Sequence, residues 1–298
     1  MAEQRNFDDR DGWIWLDGKL VPWREANVHV LTHALHYASS VFEGQRAYGG
    51  TIFKLSEHSA RLRNSAALLG FDLPWSVEQI DAACIETLKA NDMTDAYMRP
   101  VAWRGSEQMG VSPKGTKPHL AIACWYWGKY FDEAKAAKGI RLDMAPWRRP
   151  APYTAPVHSK AAGLYMIATM SKAHADARGY DDALMLDWRG QVAEATGANA
   201  FFIREGKIYT PTPDCFLNGI TRQTVIDLAR RRGVEVVERA IWPEELESFE
   251  QFFLTGSAAE VTFVGSAGPW NFEVGDLSRQ LAKDYDDLVH GRLPNDRA

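Results

Sequence analysis

The chain has 298 residues, 46% of them hydrophobic and 24% charged, with a formal net charge of −5. This composition excludes a disordered or fibrous protein, and the mild acidity excludes the electrostatic footprint of a general nucleic-acid binder. No apolar run approaches the ~18 residues of a membrane span.

The opening Met1-Ala-Glu-Gln-Arg-Asn-Phe-Asp-Asp-Arg10 is polar where a signal peptide would be apolar. Cys84, Cys124 and Cys215 are an odd number, far apart, and argue against a disulfide framework or a zinc site. A cytoplasmic protein directed at small molecules is expected. The first expected element is a hairpin, in which Trp13-Ile-Trp-Leu16 and Leu20-Val-Pro-Trp23 flank Asp17-Gly18-Lys19. Gly49-Gly50 separates a strand over 42–48 from one over 51–55. Ser56 is expected to cap the next helix, with Leu62, Ala66 and Leu69 on its inner face and Gly70 as its stop. Ser76-Val-Glu-Gln79 reads as a capping box opening a second helix with Ile80, Cys84 and Leu88 inward. Buried strands are predicted over 96–103 and 119–127.

Residues 1–127 thus read as a small N-terminal α+β domain, and the polar, alanine-rich stretch 128–139 as an interdomain loop. In 140–298, strands (140–144, 183–186, 200–203, 234–240, 252–254) alternate with helices (161–177, 222–232, 277–289). The last helix places Leu277, Leu281, Tyr285 and Leu288 on one stripe. The fold class is α/β (α+β) in two domains, and a seam between such domains is a common place for a ligand.

Standard motifs are missing. There is no H-E-x-x-H, no G-x-S-x-G and no G-x-G-x-x-G after a strand, and Gly110-Val-Ser-Pro-Lys-Gly-Thr-Lys117 has Thr-Lys where a phosphate loop requires Lys-Ser/Thr. His29, His33 and His36 suit a structural role better than a metal. Four short segments carry more. Lys160, in His158-Ser-Lys-Ala-Ala-Gly-Leu-Tyr165, lies on or just before a helix among small and apolar residues. Burial lowers a lysine pKa, as a Schiff-base lysine needs, although taken alone a solvated lysine is the simpler reading. Glu194 sits among small residues in Gly190-Gln-Val-Ala-Glu-Ala-Thr-Gly-Ala-Asn199. Leu217-Asn-Gly-Ile220-Thr221 runs into a helix N-terminus, which suits a phosphate or simply starts a helix. Leu254-Thr-Gly-Ser257-Ala258-Ala-Glu260 is a turn with hydroxyls, equally readable as a plain strand-to-strand loop.

In this order and spacing the four segments resemble the signature of fold-type IV pyridoxal-phosphate enzymes, closest to the branched-chain amino acid aminotransferases. The resemblance runs from the Trp13 hairpin to about Val264. It includes His36-Tyr37-Ala-Ser-Ser-Val-Phe42-Glu-Gly44-Gln-Arg46, Phe53-Lys-Leu-Ser-Glu-His58-Ser-Ala-Arg61, Tyr97-Met-Arg99-Pro100 and Met109-Gly-Val111. It implies a larger, pseudo-barrel C-terminal domain and pyridoxal 5′-phosphate as cofactor. By resemblance, Lys160 is the lysine that attaches the cofactor and shuttles the α-proton. Glu194 pairs with the protonated pyridine nitrogen and keeps the ring an electron sink. Arg61, the Ile220 and Thr221 amides and Ser257 form the phosphate cup, with Tyr165 near the ring hydroxyl and Leu217 under the ring.

On the substrate side the resemblance implies an apolar pocket of Tyr37, Phe42, Gly44, Tyr130, Met109 and Val111. The 109–111 loop would be lent by a second subunit, making the protein a homodimer at least, with a hexamer left open. Ser257 and Ala258, with Tyr97, resemble the α-carboxylate binders, and Arg99 the receiver of glutamate's side-chain carboxylate. The implied reaction is transamination of leucine, isoleucine or valine with 2-oxoglutarate, giving 2-oxo acids and L-glutamate. Rivals on the same fold are an (R)-selective amine or D-amino acid aminotransferase and an aminodeoxychorismate lyase. Tyr97-x-Arg99 and Met109-Gly-Val111 favour the branched-chain reading. A cofactor-free binding protein would not need Lys160, Glu194 and Arg61 together. The sequence departs from the family pattern at Ala161-Ala-Gly-Leu164 (Gly-Gly-Asn is typical before the tyrosine), at Ser257 for threonine, at Phe263 for proline and at Gln45 for a branched residue.

Overall fold

The computed structural model describes residues 6–128 and 137–293. Strands β1 (Trp13–Leu16) and β2 (Lys19–Pro22) pair antiparallel. Asp17 and Gly18 between them take φ of 48° and 103°, the left-handed turn that matches strand twist. A short helix α1 (His33–Tyr37) precedes β3 (Ser40–Phe42), β4 (Gln45–Tyr48) and β5 (Thr51–Ile52). Helices α2 (Leu55–Leu68) and α3 (Val77–Ala90) follow, then β6 (Ala96–Arg104) and β7 (Pro118–Trp125). These strands make one seven-stranded antiparallel sheet, ordered β2-β1-β7-β6-β4-β5, with β3 also on β6. Leu62 and Ala66 of α2 and Ile80, Cys84 and Leu88 of α3 pack with Val41, Met98, Leu120 and Ile122 of the sheet in one buried cluster.

The chain divides into two compact units. Met1–Trp127 with Ser159–Gly163 is one, and Gly128–His158 with Leu164–Ala298 is the other. The segment around Lys160 therefore belongs with the first unit. The expected connection over 128–139 falls mostly on residues 129–136, which lie outside the described residues.

In the second unit, β8 (Ile140–Met144), α4 (Tyr165–Ala177) and β9 (Asp182–Leu186) form a crossover with parallel strands. Then come β10 (Val192–Ala195), β11 (Asn199–Arg204) and β12 (Lys207–Thr210). Helix α5 (Ile220–Arg231), β13 (Val236–Glu238), β14 (Gln251–Gly256), β15 (Glu260–Ala267), β16 (Trp270–Asn271) and α6 (Asp276–Val289) complete the chain order. The pairing path β10-β9-β8-β15-β14-β11 returns to β10 through the β10–β11 ladder. The sheet thus closes on itself as a barrel, with β12 and β13 as an extension. Closure removes the strand edges, and Leu142, Leu184, Ala200, Phe202, Phe252, Leu254 and Val264 share its apolar core.

Several local expectations give way. Helix α2 starts at Leu55 on Lys54, which has φ 48° and no side-chain cap; Ser56 instead donates to Asp81 Oδ2 at 2.5 Å. Ser76 and Gln79 form both hydrogen bonds of the capping box. The strand expected over 234–240 shortens to Val236–Glu238, because it pairs only with the four-residue β12. On α6 the buried positions are Ser278, Leu281, Tyr285 and Val289. The helix faces the barrel about one residue round from the expected stripe, leaving Leu277 and Leu288 half-buried.

Candidate active site

In the first unit the site is organised by an interruption of the ladder. Phe42 pairs with Val101 and Gln45 with Met98, so Glu43 and Gly44 stand opposite Arg99 and Pro100. Pro100 has no N–H to donate, and a mid-sheet proline breaks pairing. Glu43 N instead donates to Pro100 O at 2.8 Å. Gly44 is required by sterics, since a Cβ there would lie 2.2 Å from Tyr97 Oη. The break thereby brings Phe42, Glu43, Gly44, Tyr97 and Arg99 together.

Glu43 is fully buried and bound from two sides. Arg61 donates Nε and Nη2 to its two oxygens at 2.7 and 2.8 Å, and His58 Nδ1 approaches Oε2 at 2.7 Å. Burial alone would raise its pKa; the Arg61 charge and fork, with His58, outweigh that and hold the carboxyl well below the usual range. Burial pushes His58 down as well, with the Arg61 and Lys160 charges adding to it against the pull of Glu43. Burial thus favours the neutral imidazole, which against an acceptor-only carboxylate carries its proton on Nδ1.

Lys160 is strapped alongside β3. Its N–H donates to Ser65 Oγ (3.0 Å), its carbonyl accepts from Phe42 N (3.1 Å), and Ser159 Oγ donates to Ser65 O (2.8 Å). Lys160 Nζ lies 5.1 Å and the Arg99 guanidinium 4.6 Å from the centre of the Phe42 ring, both in cation–π range. Arg99 Nη2 donates to Tyr97 Oη at 2.9 Å, while its Nε is buried and makes no hydrogen bond among the described residues. Tyr97 in turn packs on Trp125 and Trp127. Apart from this cluster, Tyr37 packs on His33, whose Nε2 is 3.0 Å from Gly110 O. The neighbouring Met109 and Val111 are 46% and 83% exposed. Tyr130 lies outside the described residues.

In the second unit a tight hairpin aligns Glu194 with Asn199 as cross-strand partners. Asn199 Nδ2 donates to Glu194 Oε2 (3.1 Å) and to Leu217 O (3.0 Å), tying the acid to the loop before α5. The buried Arg149 reaches Glu194 Oε1 at 3.1 Å. Gly219 precedes α5 without a side-chain cap, and a Cβ there would sit 2.2 Å from Asn199 Oδ1. The first N–H groups of α5, at Ile220 and Thr221, thus have no capping side chain, an arrangement that accepts an anion. Ser257 and Ala258 occupy the β14–β15 turn, whose strands place Thr255 opposite Asn199. Tyr165 is the first residue of α4, after a 3-10 turn over Ala162–Leu164.

Sequence reasoning gave no role to Glu43, His58, Arg149 or Asn199. Glu43 and His58 lie inside quoted motifs, and the hairpin spacing of Glu194 and Asn199 was a usable signal. Nothing local marks Arg149, which arrives through a bridge between Arg149 and Asp187. Among the described residues, Asp187, Asp214 and Cys215 form a group of metal-type ligands. Arg189 bonds both carboxylates, and burial, with the two acids, pushes the Cys215 thiol up to about 12.

One unit is a closed mixed barrel with an uncapped helix start beside a buried acid, and the other carries a lysine strapped to its sheet. A model of the class IV aminotransferases matches residues 40–267, and the chain belongs to that family. It is 43% identical over 280 residues to a probable branched-chain-amino-acid aminotransferase of Rickettsia felis, covering 93% of this chain and 95% of that one. The branched-chain aminotransferase of Thermoproteus uzoniensis, solved with norvaline, superposes with a TM-score of 0.91 at 37% identity, over 96% of this chain and 97% of that one. A T.th. branched-chain amino acid aminotransferase, solved with N-(5′-phosphopyridoxyl)-L-glutamate, superposes at 0.90 and 38% identity, over 96% of each chain.

Proposed function

We propose that the chain exchanges amino groups between branched-chain L-amino acids and 2-oxoglutarate, with pyridoxal 5′-phosphate as its cofactor. The observation that carries this reading is the Phe42 ring, approached by the Lys160 amine and by an Arg99 guanidinium whose buried Nε makes no hydrogen bond among the described residues. One apolar face with one cation suits leucine in one half-reaction and glutamate's second carboxylate in the other. The relatives' names support the branched-chain substrate, and the glutamate adduct of the T.th. enzyme supports the glutamate pair.

The residues fit the cofactor. The uncapped start of α5 at Ile220 and Thr221 suits a phosphate, and by the family resemblance Ser257 and Arg61 would complete its cup. Arg61 can serve there because Glu43 fixes its orientation. Glu194, held by Arg149 and Asn199, presents a negative charge for a pyridinium. When bound, the cofactor supplies the electron sink for the carbanion at the amino acid's Cα. Lys160 would hold it covalently and would move the α-proton as base and then acid. Leu217 and Tyr165 flank the ring, Ser257, Ala258 and Tyr97 take the α-carboxylate, and Phe42, Gly44, Tyr37, Met109, Val111 and Tyr130 line the side-chain pocket.

The exposed Met109 and Val111, with Val30, Leu31 and Leu35 near α1, support a homodimer in which this loop serves a second copy. The three buried free thiols support a reducing, cytoplasmic setting. The test is optical. Protein loaded with pyridoxal phosphate should be yellow, bleach with L-leucine and recover with 2-oxoglutarate; no response to L-leucine, or no recovery with 2-oxoglutarate, refutes the reading.

A further inference from the structure

The loop over residues 105–117, which carries Met109 and Val111, is closed at its base by groups the reaction does not use. Gly105 N donates to Lys117 O at 2.9 Å. His119, the second residue of β7, stands over that base. It stacks on Trp103 of β6 with ring centres 5.5 Å apart, and a Cβ on Gly105 would come within 2.4 Å of its Nε2. Both ring nitrogens face carboxylates, Nδ1 at 2.6 Å from Asp17 Oδ2 in the β1–β2 turn and Nε2 at 3.0 Å from Glu107 Oε1 in the loop. The outer oxygens are engaged too. Asp17 Oδ1 accepts from Leu120 N, and Glu107 Oε2 from Lys117 N, each at 2.9 Å.

A neutral imidazole carries one N–H, so against two carboxylates one nitrogen would turn a lone pair toward an anion; only the imidazolium satisfies both. We propose that His119, as an imidazolium bridging Asp17 and Glu107, is a positioning residue that sets the 105–117 loop and with it Met109 and Val111. The placement of substrate that follows rests on the reading of this loop as pocket wall. From β6 the uncharged Trp103 stacks on the ring, and the guanidinium of Arg104 bonds to Thr116 and Gly70. Partial burial works against the charged ring, but the bonds and charges of Asp17 and Glu107 outweigh it and raise the His119 pKa. Above that pKa one carboxylate bond is lost and the base of the loop loosens.

The experiment uses the loaded enzyme. NMR titration of the His119 ring should give a midpoint above the ordinary value of about 6.5. Hydrogen exchange of amides 105–116, corrected for its intrinsic pH dependence, should lose about two- to fivefold in protection across that midpoint, the size of one partly exposed charged pair. H119F keeps the stack on Trp103 but should show the lower protection at every pH. E107Q, which keeps a hydrogen-bonding side chain, should fold and lower the midpoint. The KM for L-leucine should rise about two- to fivefold over the same range with kcat unchanged, a step absent in H119F. A midpoint at or below 6.5, or wild-type loop protection in H119F, overturns the clamp. A loop that loosens with no change in KM upholds the clamp and overturns the assignment of the loop to the substrate.

Discussion

In each unit a buried glutamate meets an arginine and a further donor, and the two arrangements differ. Glu43 is wholly buried, takes both arms of Arg61 at 2.7 and 2.8 Å and meets His58 as well. Glu194 is 8% exposed and meets Arg149 and Asn199 at 3.1 Å each. A bidentate, fully desolvated pair fixes geometry, and removing one partner leaves a buried charge uncompensated. Glu194 is buried as well but is met by single, longer bonds from Arg149 and Asn199 rather than by a fork. Buried acid and arginine are thus the same ingredients in two arrangements, distinguished by fork geometry.

Substitutions test this contrast, beginning with the reacting centre. Lys160→Ala should remove turnover entirely while leaving thermal unfolding close to wild type, because the segment is held by Ser65 through its backbone and by Ser159. Transamination persisting in that variant would take the amine out of the chemistry. Glu43→Gln should cost about 3–5 kcal/mol of stability in urea titration, since it removes the buried charge that takes both arms of Arg61. Glu194→Gln should also cost stability, because it takes the carboxylate from the buried Arg149, but it should in addition lower kcat roughly a hundredfold or more at ~1.4 kcal/mol per tenfold. A Glu194→Gln variant that lost stability but kept its turnover number would remove the contrast.

Arg99→Leu is expected to raise the KM for 2-oxoglutarate about ten- to hundredfold, the size of one charge-assisted hydrogen bond of ~1.5–3 kcal/mol, with a much smaller change for L-leucine. Equal losses on both substrates would reassign Arg99 to the α-carboxylate or to structure. The smallest effect is on pH dependence. The folded pKa values of His58 and Glu43 are depressed, so their stabilisation is complete above the unfolded values, near 6.5 and 4.5, and is lost as pH falls toward the folded ones. His119 is raised, so its contribution is complete below about 6.5 and is lost as pH rises through its folded pKa. Urea midpoints should therefore fall on both sides of neutrality, and H119F should flatten only the alkaline side.

Much of this was legible without coordinates, because it depends on short-range rules. The Asp17-Gly18 turn, the Ser76 capping box and the apolar faces of α2 and α3 follow from residues within a few positions of one another. The family resemblance carried by Lys160, Glu194 and the Gly219 turn is likewise a matter of order and spacing along the chain. Barrel closure depended on tertiary structure, because β10, β12 and β15 are short or mixed in composition and become strands only by pairing with neighbours distant in sequence. So did Arg149 on Glu194 and His119 between Asp17 and Glu107, contacts between residues 45, 102 and 12 positions apart in the chain. Local preference is written in neighbouring side chains, whereas the state of a buried charge is set by whatever the fold places against it. The sequence by itself determined which groups the chain carries and how its helices and turns begin; the tertiary structure alone decided which charges meet.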